Sequence, residues 1–221
     1  MRLAFDMLGA WNRLAKVYLD DGDTAGVLDA NDTLRATCRY DGLHRRVRKI
    51  ALGDDGNDVP YDFFHTRSWQ VLEVRRHNDT VAHKQYLWDA RYIDAPVCRW
   101  YDADNDGSFE PDANEHHYVT QGANFNVTAL LDANTGQVVE RTLYTPYGRR
   151  TILDGNTDAD PRATEWHPDG DGISDHDNWL GHQGLMWCPW TGVYGNRHRD
   201  VSPLVGRFMQ RDLEGYVEGL T

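Results

Sequence analysis

A strand–turn–strand pattern near the middle of this 221-residue chain constrains its fold more than any other feature. Asn126–Leu131 and Gln137–Tyr144 are rich in Val, Thr, Leu and Tyr, residue types that favour extended strands. The sequence Asp-Ala-Asn-Thr-Gly joins them, and its Gly136 can adopt the positive φ that a tight turn requires. Pro146 then ends the second strand because it lacks a backbone N–H, and Gly148 permits a further turn. A lone hairpin is only marginally stable, so these strands must belong to a larger sheet.

Further strand-like segments recur through the first hundred residues. Arg46–Leu52 alternates polar and apolar side chains, and three more candidates are Tyr61–His65, Ser68–Arg76 and Lys84–Ile93. Turn clusters such as Gly53–Asp58 separate them, and no helical stripe of useful length interrupts the series. This spacing is typical of an antiparallel meander and not of alternating strands and helices. We therefore predict a mostly β fold, an antiparallel β-hairpin meander with acidic loops and little helix.

The amino-acid composition is consistent with such a sheet, and the net charge limits the kinds of partner that the chain can bind. The chain has eight Trp and eleven Tyr, and each cross-strand aromatic pair stabilises a sheet by roughly 0.2–1 kcal/mol. Its net charge of −12 argues against a nucleic acid partner, because a polyanion is bound by clustered positive charge. We interpret the two basic clusters, at residues 45–49 and 75–76, as solvated strand faces.

The sequence has no pattern typical of a membrane-spanning segment or of a set of disulfide bonds. Cys38, Cys98 and Cys188 are too far apart for a metal motif or a disulfide framework. No apolar run approaches the roughly 18 residues of a spanning helix, so membrane insertion is not expected. The N-terminal residues lack the pattern of a signal peptide, because Asp6 interrupts the apolar stretch.

Residues 101–116, called the acidic loop below, contain the sharpest chemical motif. Counted from Asp102, carboxylates occupy positions 1, 3, 5 and 9 and a glycine occupies position 6, as in the first half of an EF-hand calcium loop. Alternate side chains of a tight loop converge on one point, and Ca²⁺ prefers hard oxygen ligands. The candidate ligands are Asp102, Asp104, Asp106, Ser108 and Glu110.

The acidic loop departs from the EF-hand pattern at its far end. Ala113 stands at the twelfth position, where the bidentate glutamate belongs, and Asp112 or Glu115 could replace it only if the loop geometry changed. The flanking sequences predict strands instead of helices. Two hypotheses therefore stay open, a weak calcium site and a plain acidic hairpin turn. No other cofactor is required.

A second acidic segment follows at residues 150–180. Four aspartates between residues 169 and 177 have a spacing similar to that of extracellular calcium-binding repeats, but His167 is a poor ligand for a hard cation where coordination would begin. The acidic run at residues 154–165 lacks the central glycine of such loops. We expect the segment to be a mobile insert on the surface, either a calcium loop or a solvating linker.

Several segments resemble the Rhs (rearrangement hotspot) family. Tyr118–Arg149 is similar to the opening of the Rhs repeat-associated core, a D-x-x-G-N-V-T-A-L-x-D-x-x-G hairpin followed by a V-x-R-Y-x-Y-D-P-Y-G close. Gly184–Gly215 resembles the block that ends this core. Upstream, Ala10–Val17 and Arg39–Val47 resemble YD repeats, the Tyr-Asp-x-x-Gly-Arg units of the same proteins. The residues that match fixed positions of the closing block are Thr191–Tyr194, Arg197, Arg199, Asp200 and Gly206–Phe208.

The resemblance implies a domain plan. It assigns 1–100 to YD-like strands, 101–116 to the acidic loop, 117–149 and 182–221 to the two halves of the core, and 150–181 to an acidic insert. The YD strands would form a section of a coiled shell around a C-terminal toxin, delivered by secreted or cell-surface proteins in bacterial competition. Its partners would be other YD-repeat segments or the toxin domain. This chain is expected to be a fragment or a degenerate copy of such a protein; standing alone it would be cytoplasmic.

The resemblance also implies one chemistry, a self-cleavage that depends on aspartates. Arg211 and Asp212 match the family's first cleavage motif, but Leu213 replaces its proline and no second motif follows. We found no nucleophile elbow, no P-loop and no metalloprotease motif in the sequence. We therefore predict a non-catalytic structural section of an Rhs protein. The alternatives are a secreted calcium- or carbohydrate-binding β module, in which Trp187 and Trp190 would stack on sugars, and an aspartate-dependent hydrolase.

Overall fold

The computed structural model describes residues 3–8, 13–20, 29–52, 58–110, 114–154, 167–168 and 172–212. These ranges are almost entirely β-structure, with a single 3₁₀ turn at His182–Gly184 and no α-helix among the described residues. The first strands are β1 (Leu3–Leu8), β2 (Arg13–Leu19), β3 (Thr33–Tyr40), β4 (Arg46–Leu52), β5 (Asp58–His65), β6 (Val71–Arg76), β7 (Lys84–Trp88), β8 (Pro96–Tyr101) and β9 (His116–Gln121). The remaining strands are β10 (Val127–Asp132), β11 (Val138–Tyr144), β12 (Arg150–Asp154), β13 (His167–Pro168), β14 (Met186–Cys188), β15 (Val193–Asn196), β16 (Arg199–Ser202) and β17 (Arg207–Phe208).

Strands β1 to β13 form one antiparallel sheet in which every strand pairs with its neighbours in the sequence. The register places Arg48 opposite Asp62 and Ala129 opposite Arg141. Strands β14 to β17 form a second, four-stranded antiparallel sheet, again in chain order. The predicted fold class, a mostly β antiparallel meander with little helix, is confirmed.

The central hairpin has the predicted geometry. Strands β10 and β11 begin and end within one residue of the predicted bounds, and Gly136 has the positive φ of 72° that the turn requires. The side chain of Asp132 accepts hydrogen bonds from the backbone N–H groups of Asn134 (3.1 Å) and Thr135 (2.6 Å), which fixes the turn. Gly148 also has a positive φ, 86°, at the end of the following turn.

Two predicted strands are shorter than their sequence suggested. Residues 68–70 belong to a turn, in which Trp69 has a φ of 71° and donates its backbone N–H to Thr66 O at 3.3 Å, so β6 begins only at Val71. The strand that starts at Lys84 ends at Trp88, because the Asp89 side chain accepts the backbone N–H of Arg91 (2.8 Å) and turns the chain. Most of the turn cluster at 53–58 lies outside the described residues.

Residues 172–212, called the covering segment, pack against one face of the large sheet, called the inner face. Trp179 and Leu180 of this segment join the core residues of the sheet, and the Trp179 ring packs edge-on to Tyr61 with centroids 5.2 Å apart. Trp190 packs against Trp179 at 5.7 Å. The sheet residues in this core are Tyr61, Val71, Val74, Tyr86 and Val127. Aromatic side chains therefore provide much of the contact between the covering segment and the large sheet.

The covering segment corrects two expectations from the sequence. The insert was expected on the surface, and in its last part this is wrong, because Ser174 and Asn178–Leu180 are buried against the inner face of the sheet. Residues 155–166 and 169–171 of the insert, with most of its proposed calcium ligands, lie outside the described residues. The basic cluster at residues 45–49 is not a solvated face throughout, because Lys49 is only 2% exposed and points under the covering segment. Arg48, its neighbour on the strand, faces the other way and pairs with Asp62.

Candidate functional site

The acidic loop connects β8 to β9 and brings its carboxylates together. Asp102 is buried whereas Asp104 and Asp106 are exposed, and one oxygen of each lies within 4.8 Å of the others. The backbone makes this curvature with Asn105 at a φ of 64° and Gly107 at 89°. Gly107 donates its backbone N–H to Asp102 Oδ2 at 3.2 Å. The predicted positions 1, 3 and 5 therefore do converge.

Glu115 closes the acidic loop, although the sequence pattern gave it a minor place. Its carboxylate is fully buried and accepts backbone N–H groups from both ends of the loop, Ala103 at 2.7 Å and Glu110 at 2.8 Å. Glu115, Glu110 and Asp104 form a second group of carboxylates whose oxygens lie within 4.8 Å of one another. Asp112 and Ala113 lie outside the described residues.

The remaining candidate ligands of the loop, Ser108 and Glu110, form hydrogen bonds with neighbouring side chains. The Ser108 hydroxyl contacts Asp106 Oδ1 at 2.8 Å and donates to the Glu110 carboxylate. Partial desolvation and the nearby charges of Asp106 and Glu115 raise the pKa of Glu110 above its usual value. The loop thus concentrates negative charge that a cation would relieve.

A second group of polar side chains lies at the seam between the inner face and the covering segment. The ammonium of Lys84, fully buried on β7, pairs with the Asp177 carboxylate and donates to the Asp177 carbonyl oxygen at 2.9 Å. Burial lowers the pKa of Lys84 to about 7, although the charge of Asp177 opposes this shift. Burial alone would raise the pKa of Asp177, but the charge of Lys84 and hydrogen bonds from His83, Lys84 and Trp179 hold it well below its usual value.

Arg99 and His117 extend the seam along β8 and β9. The fully buried Arg99 guanidinium donates to the carbonyl oxygens of His176 and Asp177, the latter at 3.1 Å. His117 is also fully buried, and its Nε2 lies 3.0 Å from Asn114 Oδ1. Burial, aided by the positive charge of Arg99, lowers the pKa of His117 to about 2, so this ring is neutral at physiological pH.

Strand β11 contributes a carboxylate to the same seam. Glu140 Oε1 accepts Asn178 Nδ2 at 3.0 Å, and its other oxygen accepts the Ser174 hydroxyl. The Ser174 oxygen in turn accepts the backbone N–H groups of His176 (3.2 Å) and Asn178 (3.0 Å). These polar groups bond to one another and to the backbone of the covering segment, which is the arrangement of a structural joint. Arg99 Nε and His83 Nδ1 are exceptions, because both are buried without a hydrogen-bond partner among the described residues.

The second sheet forms a similar polar joint with β4. Asp200 is 1% exposed, lies 2.8 Å from Arg46 Nη2 and accepts Gln210 Nε2 at 2.6 Å. Asp212, the aspartate of the first self-cleavage motif, lies instead near the surface, where Arg199 Nη1 is 3.0 Å from its Oδ2. Arg211 is exposed, and the rest of that motif lies outside the described residues.

The sequence did not predict the seam. The contacts in the covering segment also weaken two hypotheses that were drawn from the sequence. Asp177 was considered as a calcium ligand, but its carboxylate is taken by Lys84, Trp179 and His83. Trp187 and Trp190 are half-buried. Arg150 lies 4.9 Å from the centroid of the Trp187 ring and Lys49 lies 3.5 Å from that of the Trp190 ring, which leaves less of either ring for stacking on a sugar. The sequence did carry one signal of the seam. Side chains alternate between the two faces of a strand, so Glu140 and Thr142 had to lie on the face opposite to Arg141 and Leu143.

The fold is similar to that of solved toxin structures. A TcdB2–TccC3 crystal structure matches 98% of this chain with a TM-score of 0.61 and 19% sequence identity. The Photorhabdus luminescens Tc holotoxin pore, solved with a TccC3 point variant, matches 98% with a TM-score of 0.63 and 19% identity. This chain spans only 9% of the length of each of those chains. No family model and no curated protein matches the sequence. The likeness at this identity shows the fold alone, an antiparallel β-sheet arrangement that is shared with one part of those much longer chains.

No helix among the described residues has both the length and the apolar character needed to cross a lipid bilayer.

Proposed function

We propose that this chain is a non-catalytic structural section of a larger Rhs-type protein, whose β-shell encloses and helps deliver a C-terminal toxin in bacterial competition. The observation that carries the proposal is the single large sheet, in which thirteen strands pair in chain order and a covering segment packs on one face. The same arrangement spans a small share, 9%, of much longer toxin chains. The Rhs-like motifs of the sequence support the same assignment.

The free edge of the sheet supports the inferred partners. Within the described residues, β1 pairs with β2 on one side only, so its other edge offers unpaired backbone groups. A further antiparallel strand could continue the sheet there without any change in the existing register. We infer that the partners are other YD-repeat segments of the parent protein, or its toxin domain. The parent protein would act outside the producing cell.

We also propose that the chain does not cleave itself. The family's self-cleavage is expected to need two aspartates that share protons near the scissile bond. In this chain Asp212 is half-exposed and paired with Arg199, and Leu213 replaces the proline of the motif. The polar groups of the seam are engaged with one another and with the backbone, which supports a structural role for them.

The mass of the endogenous polypeptide tests the proposal. An antibody against residues 172–212 is used to probe lysate and culture medium of the source cells, followed by intact-mass spectrometry of the captured protein. We expect a species far larger than 25.3 kDa, because the chain covers only 9% of the toxin chains that share its fold. A species of 25.3 kDa with no larger form in lysate or medium would overturn the assignment.

A further inference from the structure

We propose that the acidic loop binds one Ca²⁺ ion through Asp102, Asp104 and Asp106, with the carboxylates of Glu110 and Glu115 completing the oxygen ligands. This metal site goes beyond the structural function proposed above, which requires no ion. The loop was identified in the sequence as one of two alternatives, and three features of the structure favour the metal site over the plain turn.

The first feature is an unpartnered oxygen of a buried carboxylate. Asp102 is 5% exposed. Its Oδ2 accepts the Gly107 N–H, whereas its Oδ1 is buried and has no hydrogen-bond partner among the residues that the structure describes. Burying a charged oxygen without a donor is costly, and a protein avoids this cost unless a ligand meets the group. Asp102 is also one of the three aspartates that converge, so a cation placed among them would contact it.

The second feature is the spacing of the oxygens. Ca²⁺ binds oxygen ligands at 2.3–2.6 Å, so ligands on opposite sides of one ion are about 4.8 Å apart. Oxygens of Asp102, Asp104 and Asp106 lie within this distance of one another, as do those of Asp104, Glu110 and Glu115. Asp104 belongs to both groups and links them. A cavity of about 150 Å³ beside the loop, lined in part by Asp102 and Asp106, has room for waters that complete the coordination.

The third feature explains how the loop manages without a glutamate at its twelfth position. An EF-hand loop is held by helices at both ends, whereas this loop is held by paired strands, with Trp100 opposite His116 and the Tyr101 N–H donating to Glu115 O at 2.8 Å. That pairing brings Glu115, at position 14, back beside the start of the loop, where it accepts the Ala103 N–H. Glu115 therefore occupies the place that the twelfth residue has between helices.

The ligand set favours Ca²⁺ over Mg²⁺. All five side chains offer carboxylate oxygens in an irregular loop, which suits the flexible coordination of Ca²⁺ and not the strict octahedron of Mg²⁺. Asp104 and Asp106 are exposed and easily hydrated, so we expect modest affinity, with a dissociation constant of about 10⁻⁴ M as in extracellular calcium modules.

Calorimetric titration of the 221-residue chain, freed of metal with a chelator, tests the site. We expect one Ca²⁺ per chain, and at least tenfold weaker binding in D104N/D106N, which changes only exposed side chains. The matched control D58N/D89N removes two carboxylates outside the acidic loop and should bind like the wild type. Mg²⁺ at the same concentration should give no comparable heat.

Thermal unfolding provides an independent readout. Added Ca²⁺ should raise the unfolding temperature of the wild type and of D58N/D89N, and leave that of D104N/D106N unchanged. The proposal is overturned if millimolar Ca²⁺ gives neither heat nor a shift, or if D104N/D106N responds as the wild type does. It is equally overturned if the control loses binding to the same extent, because the effect would then reflect net charge alone. Any of these results would leave the structural function of the chain intact.

Discussion

The hydroxyl of Tyr194 donates a hydrogen bond of 3.0 Å to the carbonyl oxygen of Gly148. Tyr194 lies on β15, and Gly148 ends the turn after β11. The tyrosine is completely buried, and its ring also packs against Trp187 with centroids 4.8 Å apart. The hydrogen bond therefore joins the second sheet directly to the large sheet, across 46 residues of sequence.

Replacing Tyr194 with Phe should destabilise the protein by about 1–2 kcal/mol. The ring would still fill its site, but the carbonyl oxygen of Gly148 would lose its hydroxyl donor in a buried environment. Urea denaturation followed by tryptophan fluorescence measures the change. The matched control is Tyr118→Phe, at an exposed tyrosine of β9, which should change the free energy of unfolding by less than about 0.5 kcal/mol. Equal effects of the two substitutions would contradict the role of the hydrogen bond.

Replacing Gly148 with Ala should cost about 2–4 kcal/mol, whereas Gly136→Ala should cost about 1 kcal/mol. Both glycines have positive φ, so both substitutions strain the backbone. A Cβ at Gly148 would also lie 2.6 Å from ring carbons of His182, whereas a Cβ at Gly136 would meet no atom within 4 Å. The difference between the two variants in urea denaturation isolates the steric clash. Equal losses of stability in the two variants would show that the His182 ring moves away without cost.

Replacement by Met should affect the two buried lysines of the inner face to different extents. Lys84→Met removes the partner of Asp177 and should destabilise the protein by about 2–3 kcal/mol. Lys49 has no carboxylate within ion-pairing distance among the described residues; its Nζ lies 3.5 Å from the centroid of the Trp190 ring. Lys49→Met should therefore stay within about 1 kcal/mol of the wild type, since the lost cation–π contact offsets the relieved burial of charge.

The two Met variants are best compared at pH 6, below the lowered pKa of Lys84, where its ammonium is charged. Chemical denaturation gives the free energy of unfolding for each. A Lys84→Met protein as stable as Lys49→Met would show that the ion pair with Asp177 contributes nothing.

Stability should fall as the pH drops below about 6.5, and His117 should account for part of the loss. Burial lowers the pKa of His117 to about 2, so between pH 6.5 and 2 the unfolded chain binds a proton that the folded protein does not. One such group costs up to about 1.4 kcal/mol per pH unit. From pH 7 to 4.5 the wild type should therefore lose about 2–3 kcal/mol more than His117→Gln, which cannot titrate there.

Urea midpoints at pH 7, 5.5 and 4.5 test this acid sensitivity. Tyr118→Gln, a non-titrating change at the next residue of β9, serves as the control and should keep the wild-type slope. If His117→Gln kept that slope as well, the proton taken up on unfolding would belong to other histidines, such as His65, whose pKa burial lowers to about 4.

The purified 221-residue chain should keep its mass on prolonged incubation. Asp212 is half-exposed and paired with Arg199, and Leu213 replaces the proline of the cleavage motif, so no Asp212-dependent C-terminal peptide is expected. Intact-mass spectrometry of the wild type and Asp212→Asn provides the comparison. Release of a discrete peptide by the wild type alone would establish self-cleavage.

The strands were predictable because each is encoded locally. Alternating side chains set β4 at its observed bounds, and the turn sequence that ends in Gly136 set the β10–β11 hairpin to within one residue. Local encoding failed where a side chain determined the turn. Trp69 looks like a strand residue, yet it adopts a positive φ because the surrounding hydrogen bonds join Thr66 to Gln70.

The seam could not be predicted, because its partners are far apart in the sequence. Lys84 lies 93 residues from Asp177, and a period-2 pattern does not tell which face of a strand will be covered. The acidic loop was predicted only in its first half. Its ligands at positions 1, 3 and 5 follow from a local turn, whereas the place of Glu115 depends on the pairing of β8 with β9.

The chain order of the sheet gives the buried charges a role during synthesis. A ribosome makes the N-terminal strands first, and hairpins such as β4–β5 can pair as soon as they emerge, since each needs only its neighbour. The covering segment follows these strands in the sequence, so until it is made Lys49, Lys84 and Arg99 face water. A wholly apolar inner face would be adhesive during this interval, whereas one that carries three cations stays hydrated and resists premature association. The Lys84 ammonium and the Arg99 guanidinium then bind the carboxylate and carbonyl oxygens of the covering segment.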